Sequence, residues 1–380
     1  MPNTPMSGND SLQEVSVDIG NVKRFDQISE DSAVANRRHD LIFKGNAREY
    51  FKIWIVNVAL TLFTLGIFSA WAKVRKKRYF HGNTYLDGNS FEYLANPLNI
   101  LKGRVIAVSF FLLYWFASTF FPMLLVPVIV VGLLLLPWVI YRSLRFNAVN
   151  SAYRGVRFDF DGRYKEAAIS FLFWPVLMPF TLGLIWPYAQ FKQNNLVVGK
   201  SRFGEGMFEF CARPGEFYNL YFVLFLVLIA LSLLISAVMF VVTGLSAGLA
   251  IKDNMSPILL ALVPFLIALP IVFLQFLVYV YVQIRIRNLV YNNILFSKSH
   301  FESTLRVRDM FFLYLTNAIA IICSFGLLIP WAAIRLARYR AEHTFINAPG
   351  ELEEVRSSGG RDGSALGEEM GDMFDVGVGV

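Results

Sequence analysis

The chain has 380 residues, of which 56% are hydrophobic and only 17% charged, against about 25% charged in soluble proteins. Phenylalanine alone occurs 36 times and the net charge is +7. A soluble monomer does not leave so much apolar surface in water. This balance excludes an ordinary cytosolic enzyme, a disordered protein and a disulfide scaffold, and defines an integral membrane protein.

Residues 1–38 are polar, lack an apolar stretch and read as a disordered arm rather than a signal peptide. Ile53 to Ala72 is a first apolar element, interrupted at Gly66. Val105 to Tyr141 is an uncharged run of 37 residues, too long for one span of about 20 and right for two, with the turn at Phe121-Pro122. Ala167 to Phe191 is a second broken element, carrying Gly183 with Pro175, Pro179 and Pro187. Phe217 to Ile251 and Asn254 to Ile284, separated only by Lys252 and Asp253, form another pair of spans. Met310 to Ile334 is a third broken element, with Gly326. Residues 356–380 are rich in glycine and acids and read as a disordered tail.

The chain repeats itself. At a shift of 117, residues 43–97 align with 160–214 without a gap: Phe43 with Phe160, Gly45 with Gly162, Phe63-Thr64-Leu65-Gly66 with Phe180-Thr181-Leu182-Gly183, and Pro97 with Pro214. At a shift of 260, Arg48, Asn57, Gly66, Trp71, Arg75, Arg78 and Tyr79 meet Arg308, Asn317, Gly326, Trp331, Arg335, Arg338 and Tyr339. The repeats divide the membrane region into unit 1 (39–156), unit 2 (157–298) and a partial unit 3 (299–355). One unit reads as a short strand ending in Phe-x-Gly, a Gly-broken apolar element, a basic stretch, a β-hairpin and a pair of spans. Asp87-Gly88 between Asn83–Leu86 and Ser90–Tyr93 is a hairpin signal, and Gly204-Glu205-Gly206 marks its counterpart. The expected fold class is therefore an all-α membrane protein with internal repeats. It has two transmembrane helix pairs, three Gly-broken elements that either re-enter or cross, and small cytoplasmic β-hairpins.

The run from Thr64 to Thr84, TLGIFSAWAKVRKKRYFHGNT, followed by Asp87-Gly88 and Phe91-Glu92-Tyr93, resembles the YjgN family of bacterial inner-membrane proteins, a domain of unknown function. The resemblance covers roughly residues 40 to 350. It implies an inner-membrane address and a membrane-linked metallopeptidase as a possible kind of partner. It supplies no activity, substrate or catalytic residue.

Charge counting separates two topologies. Of the 35 lysines and arginines, 32 fall in six segments between the apolar elements. Seven crossings divide these almost equally between the two faces. Four crossings with three re-entrant elements put all 32 on one face, which the positive-inside rule favours. The basic loops and both termini are then cytoplasmic. Lys52 to Leu65 makes about 21 Å of helix, short of a hydrocarbon core of about 30 Å.

Three groups of residues stand out as sites. Asn57 and Asn317, at matching positions, and Gln275 are polar groups inside apolar elements; such groups mark either a pathway or a helix contact. Trp71 with Lys73, Arg75, Lys76, Lys77 and Arg78, and later Arg335 and Arg338, suit anionic lipid headgroups or ordinary interface anchoring. Gly66, Gly183 and Gly326 break their helices. Glu49, Glu166 and Asp309 open the broken elements as helix-start acids, and Glu92 and Glu209 lie in hairpins.

Cys211 and Cys323 imply no disulfide framework, and His39, His81, His300 and His343 lack metal-ligand spacing. No phosphate loop or catalytic triad is present, so neither an enzyme nor a cofactor is expected. The expected function is transport or channel-like movement of a small or lipid-like solute. The alternative is a non-transporting scaffold that binds anionic lipid or a partner such as a membrane protease. The expected surroundings are the bilayer, with no nucleic acid.

Overall fold

The structure, a computed structural model, describes residues 37–250 and 257–348. The expected N-terminal arm, the tail and the Lys252-Asp253 connection fall almost entirely outside these residues.

Ten short strands form one closed antiparallel barrel, which overturns the all-α expectation. They are β1 (Arg37–Phe43), β2 (Thr84–Leu86), β3 (Asn89–Tyr93), β4 (Ser151–Tyr153), β5 (Val156–Phe160), β6 (Ser201–Phe203), β7 (Gly206–Phe210), β8 (Ile294–Phe296), β9 (Ser299–Ser303) and β10 (Thr344–Ala348). Neighbours in sequence pair around the circle, and β1 closes it against β10 with His39 opposite Ile346. Closure leaves no strand edge open.

The hairpin at Asp87-Gly88 turns with φ of +46° and +77°, and that at Arg154-Gly155 with +52° and +76°. Two successive positive φ values suit the right-handed twist of the flanking strands.

The barrel is filled. Leu86, Tyr153, Phe203, Phe296 and Ile346 are buried together, with Phe91, Phe158, Phe208 and Phe301 packed against them. Phe158 lies 4.7 Å from Phe203 and Phe208 4.7 Å from Phe296, centroid to centroid. The Tyr153 hydroxyl donates to the Leu86 carbonyl at 2.7 Å, so the polar group among these rings is paired.

All helices leave from one rim, since every tight turn between paired strands lies at the other. They are α1 (Ala47–Phe63), α2 (Ser69–Gly82), α3 (Pro97–Phe120), α4 (Leu125–Val149), α5 (Tyr164–Ala168), α6 (Trp174–Val176), α7 (Trp186–Gly199), α8 (Pro214–Ala250), α9 (Pro257–Asn292), α10 (Val307–Cys323) and α11 (Ile329–Glu342). A wide π-helical stretch, Ile169–Phe173, joins α5 to α6 just before Pro175, where the backbone loses a donor. Each helix packs on the next, α5 and α6 through the π-helical stretch between them, and α11 closes the ring on α1.

Among the described residues, four helices are long and apolar enough to cross a membrane: Pro97–Phe120, Pro122–Val149, Pro214–Val241 and Pro270–Asn292. Phe121-Pro122 does separate the first two, through a 3₁₀ turn Pro122–Leu124.

The joints explain the Phe-x-Gly motif. The Phe43 ring folds over Gly45, where an added Cβ would meet its Cζ at 2.4 Å. Phe160 covers Gly162 in the same way, its Cε1 lying at 2.4 Å. The helices are then capped. The Asn46 side chain accepts from the Arg48 amide, and Asn96 from the Leu98 amide ahead of Pro97. Glu166 accepts from the Arg163 amide at 2.9 Å, the helix-start role expected of it.

Candidate functional site

The three broken elements are helical hairpins, α1–α2, α5–α7 and α10–α11, each of which leaves the barrel rim and returns to it. Their tips share one construction. A residue with φ near +50° (Leu65, Leu182, Phe325) precedes a glycine near +90° (Gly66 +93°, Gly183 +85°, Gly326 +88°). The glycine amide donates back to Thr61, Met178 or Ile321 at 2.8–2.9 Å. A hydroxyl from Thr64, Thr181 or Ser324 accepts from the amide four residues on. The tip thus satisfies its own backbone while displaying apolar side chains: Leu65 is 95%, Leu182 93% and Phe325 97% exposed. Such a tip is at home in hydrocarbon, where unpaired amides are costly.

Behind the tips, polar ties join the arms. Asn57 and Asn317 are each buried to 6% exposure. Arg75 Nη1 donates to Asn57 Oδ1 at 3.5 Å, and Arg335 Nη1 to Asn317 Oδ1 at 3.3 Å. Arg335 also donates to Thr316 at 2.6 Å and lies over the Trp331 ring at 5.3 Å. Gln275 stands apart, exposed on α9.

The remaining basic residues divide. Arg78 donates to the carbonyls of Tyr93 and Ala95 at the joint into α3, and its counterpart Arg338 to that of Gly45 at the joint into α1. Lys77 donates to Asn147 at 2.7 Å and lies 5.0 Å over the Tyr93 ring. Lys73 is half-buried, Lys76 is exposed, and Trp71 packs on a core of Ala70, Val74, Ile100 and Phe146 while stacking on Phe68. Glu49 and Asp309 sit at their helix starts beside the hydroxyls of Tyr79 and Tyr339. Glu92 and Glu209 are exposed on the barrel's outer face.

At the foot of the third hairpin a cleft of about 420 Å³ is lined by Arg308, Asp309, Phe312, Leu313, Arg335, Arg338, Tyr339 and Glu342. Three guanidinium groups, two carboxylates and an exposed phenyl ring thus share one opening, with one net positive charge, at the junction of barrel and helices.

Two groups at other barrel–helix joints have shifted pKa values. Burial lowers the pKa of His81, at the end of α2, below the ordinary imidazole value. Burial, with Glu209 nearby, raises the Cys211 thiol to about 11.

A filled barrel carrying a ring of apolar hairpins defines the class as a membrane protein. The model of a family described as "Bacterial protein of unknown function (DUF898)" matches residues 38–373, and the chain belongs to that family, the YjgN family. It is 33% identical over 153 residues to Inner membrane protein YjgN of Escherichia coli strain K12, covering 39% of this chain and 37% of the relative. The Salmonella typhimurium protein of the same name is 29% identical over 158 residues, covering 40% of this chain and 39% of that one. The aligned region therefore spans well under half of these relatives' length. No solved structure matches.

Proposed function

We propose that the chain is a non-transporting inner-membrane scaffold that grips anionic lipid headgroups at the foot of its short hairpins. The observation that carries this reading is the cleft in which Arg308, Arg335 and Arg338 meet the exposed ring of Phe312. Guanidinium forks suit phosphate oxygens, and the ring offers a seat to the first methylenes of an acyl chain. At matching positions the first hairpin carries Arg48, Arg75 and Arg78. These pairs fit a repeated unit.

In this reading α3–α4 and α8–α9 cross the bilayer, while the three short hairpins enter it from the barrel side and turn within it. Strands hydrogen-bonded into one sheet occupy one side of a membrane. Arms of about 25 Å fall short of a hydrocarbon core of about 30 Å. The basic segments then share the cytoplasmic face with the barrel and both termini. Transport has less support, because rings fill the barrel axis and Asn57 and Asn317 are tied to arginines.

The test is lipid preference. Purified protein in phosphatidylcholine nanodiscs containing phosphatidylglycerol is analysed for retained lipid by native mass spectrometry. Basic residues near an anionic surface contribute about 1 kcal/mol each. The Arg308→Gln/Arg335→Gln variant is therefore expected to lose most of the preference for phosphatidylglycerol. Wild-type protein that retains both lipids equally contradicts the reading.

A further inference from the structure

The far rim of the barrel holds a second site, remote in chemistry and position from the hairpin feet. His39 occupies an inward position of β1 and is only 5% exposed. Its Nδ1 lies 2.5 Å from Asp87 Oδ1, at the β2–β3 turn. The other two polar atoms of the pair, His39 Nε2 and Asp87 Oδ2, are buried and have no hydrogen-bond partner among the described residues. Both residues border an open cavity of about 410 Å³, together with Arg37, Arg38, Asp40 and Arg154. A buried polar atom left unpaired beside open space calls for an explanation.

Charge decides what fits. Arg38 is closed on itself, paired with Asp40 at 3.0 Å and stacked 3.3 Å over Phe345. His39 Nδ1 and Asp87 Oδ1 are taken up by each other, which leaves His39 Nε2 and Asp87 Oδ2 for a ligand. Arg37, Arg38 and Arg154 outnumber Asp40 and Asp87 in the lining, so the cavity carries an excess of positive charge.

We infer that this cavity binds a phosphate group that still carries a hydroxyl: inorganic phosphate or the monoanion of a soluble phosphomonoester. Its anionic oxygens accept from Arg37 and Arg154. Its hydroxyl donates to Asp87 Oδ2, the atom that otherwise lacks a partner. Sulfate and the phosphodiester of a common phospholipid have no such hydroxyl, and each would set a bare anionic oxygen against the Asp87 carboxylate. A site built to accept a hydrogen bond rejects analogues unable to donate it. This site is independent of the lipid cleft and stands or falls without it.

The experiment is isothermal titration calorimetry on the full chain in phosphatidylcholine nanodiscs, with inorganic phosphate and then sulfate as titrant. The wild type is expected to bind phosphate at least about tenfold more tightly than sulfate. Asp87→Asn is expected to erase that preference, and its fold is protected because asparagine tolerates the positive φ of this turn. Arg154→Gln, which leaves the β1–β2 seam untouched, is expected to weaken both anions. Arg308→Gln/Arg335→Gln is expected to bind phosphate as the wild type does. Failure of the wild type to bind phosphate, equal binding of both anions, a preference that survives Asp87→Asn, or loss of phosphate binding in the Arg308/Arg335 variant would each overturn the proposal.

Discussion

Arg335 reaches across the third hairpin to Asn317, Nη1 to Oδ1 3.3 Å, and Arg75 repeats the reach to Asn57 in the first. The corresponding residues of the second hairpin are Trp174 and Lys192. There Trp174 packs edge-on against Tyr188 at 4.7 Å, and Lys192 lies 5.4 Å over the Tyr188 ring. The same junction is thus held by a charged hydrogen bond in two hairpins and by aromatic packing in one. Interchangeable means of fastening mark a joint between arms rather than a conserved polar path.

The Asn317–Arg335 tie is therefore expected to show in stability. Asn317→Leu strands one face of a guanidinium that keeps Thr316, at a cost of about 1–2 kcal/mol. Asn57→Leu is expected to cost less, because its tie is longer and Arg75 is exposed. Denaturant titration of the detergent-solubilised variants measures both. An Asn317→Leu/Arg335→Leu cycle with no coupling energy would remove the tie from the account.

The tips make a separate prediction. Among the described residues nothing lies within 4 Å of a Cβ added at Gly66 or Gly183, so substitution there tests backbone conformation. Alanine is expected to cost about 1–2 kcal/mol at each, from the left-handed backbone it must adopt. Asparagine is expected to cost less. If Gly66→Ala matches the wild type in thermal unfolding, the tip conformation is not needed.

The barrel interior is expected to be the least tolerant region. Phe296 contacts Phe203 and Phe208 and borders Gly206, where an added Cβ would meet its ring at 2.7 Å. Phe296→Ala is expected to cost about 3–5 kcal/mol through lost contacts and a residual cavity. A cost under 1 kcal/mol by chemical denaturation would mean the barrel is not packed in this way.

Acid sensitivity has a defined sign at His81. Burial depresses its pKa in the folded state, so between that value and about 6.5 the unfolded chain binds the extra proton. The imidazole's contribution is thus complete above pH of about 6.5 and shrinks as pH falls through this window. His81→Gln is expected to flatten the stability–pH curve between pH 7.5 and pH 5, read as thermal midpoints across the range. An unchanged slope would assign the acid sensitivity to other groups.

Much of this architecture is visible in local sequence. Thr64-Leu65-Gly66 and Thr181-Leu182-Gly183 announce the tips, Asp87-Gly88 the hairpin, and Phe43-x-Gly45 the joint. What escapes is closure. β2, β4, β6 and β8 have three residues each, too few for a period-two pattern, and β1 finds β10 across some 300 residues of chain. The all-α expectation failed for that reason. The His39–Asp87 pair escaped too, since 48 residues separate its members and only the β1–β2 pairing joins them. The basic stretch was legible as a cluster, but not its division between Arg78, which holds a joint, and Arg335, which faces the cleft.

The central claim is that every barrel turn lies on one side of the membrane and the tips of the long pairs on the other. Single cysteines at Glu205, Lys298 and Met123, in a chain with Cys211→Ser and Cys323→Ser, test it with a membrane-impermeant maleimide on spheroplasts. Glu205 and Lys298 are in barrel turns, whereas Met123 lies 92% exposed between α3 and α4. The account predicts labelling of the Met123 position in intact spheroplasts and of the two barrel positions only after permeabilisation. Labelling of the Glu205 and Lys298 positions from opposite sides would contradict it, since one closed sheet cannot straddle a bilayer.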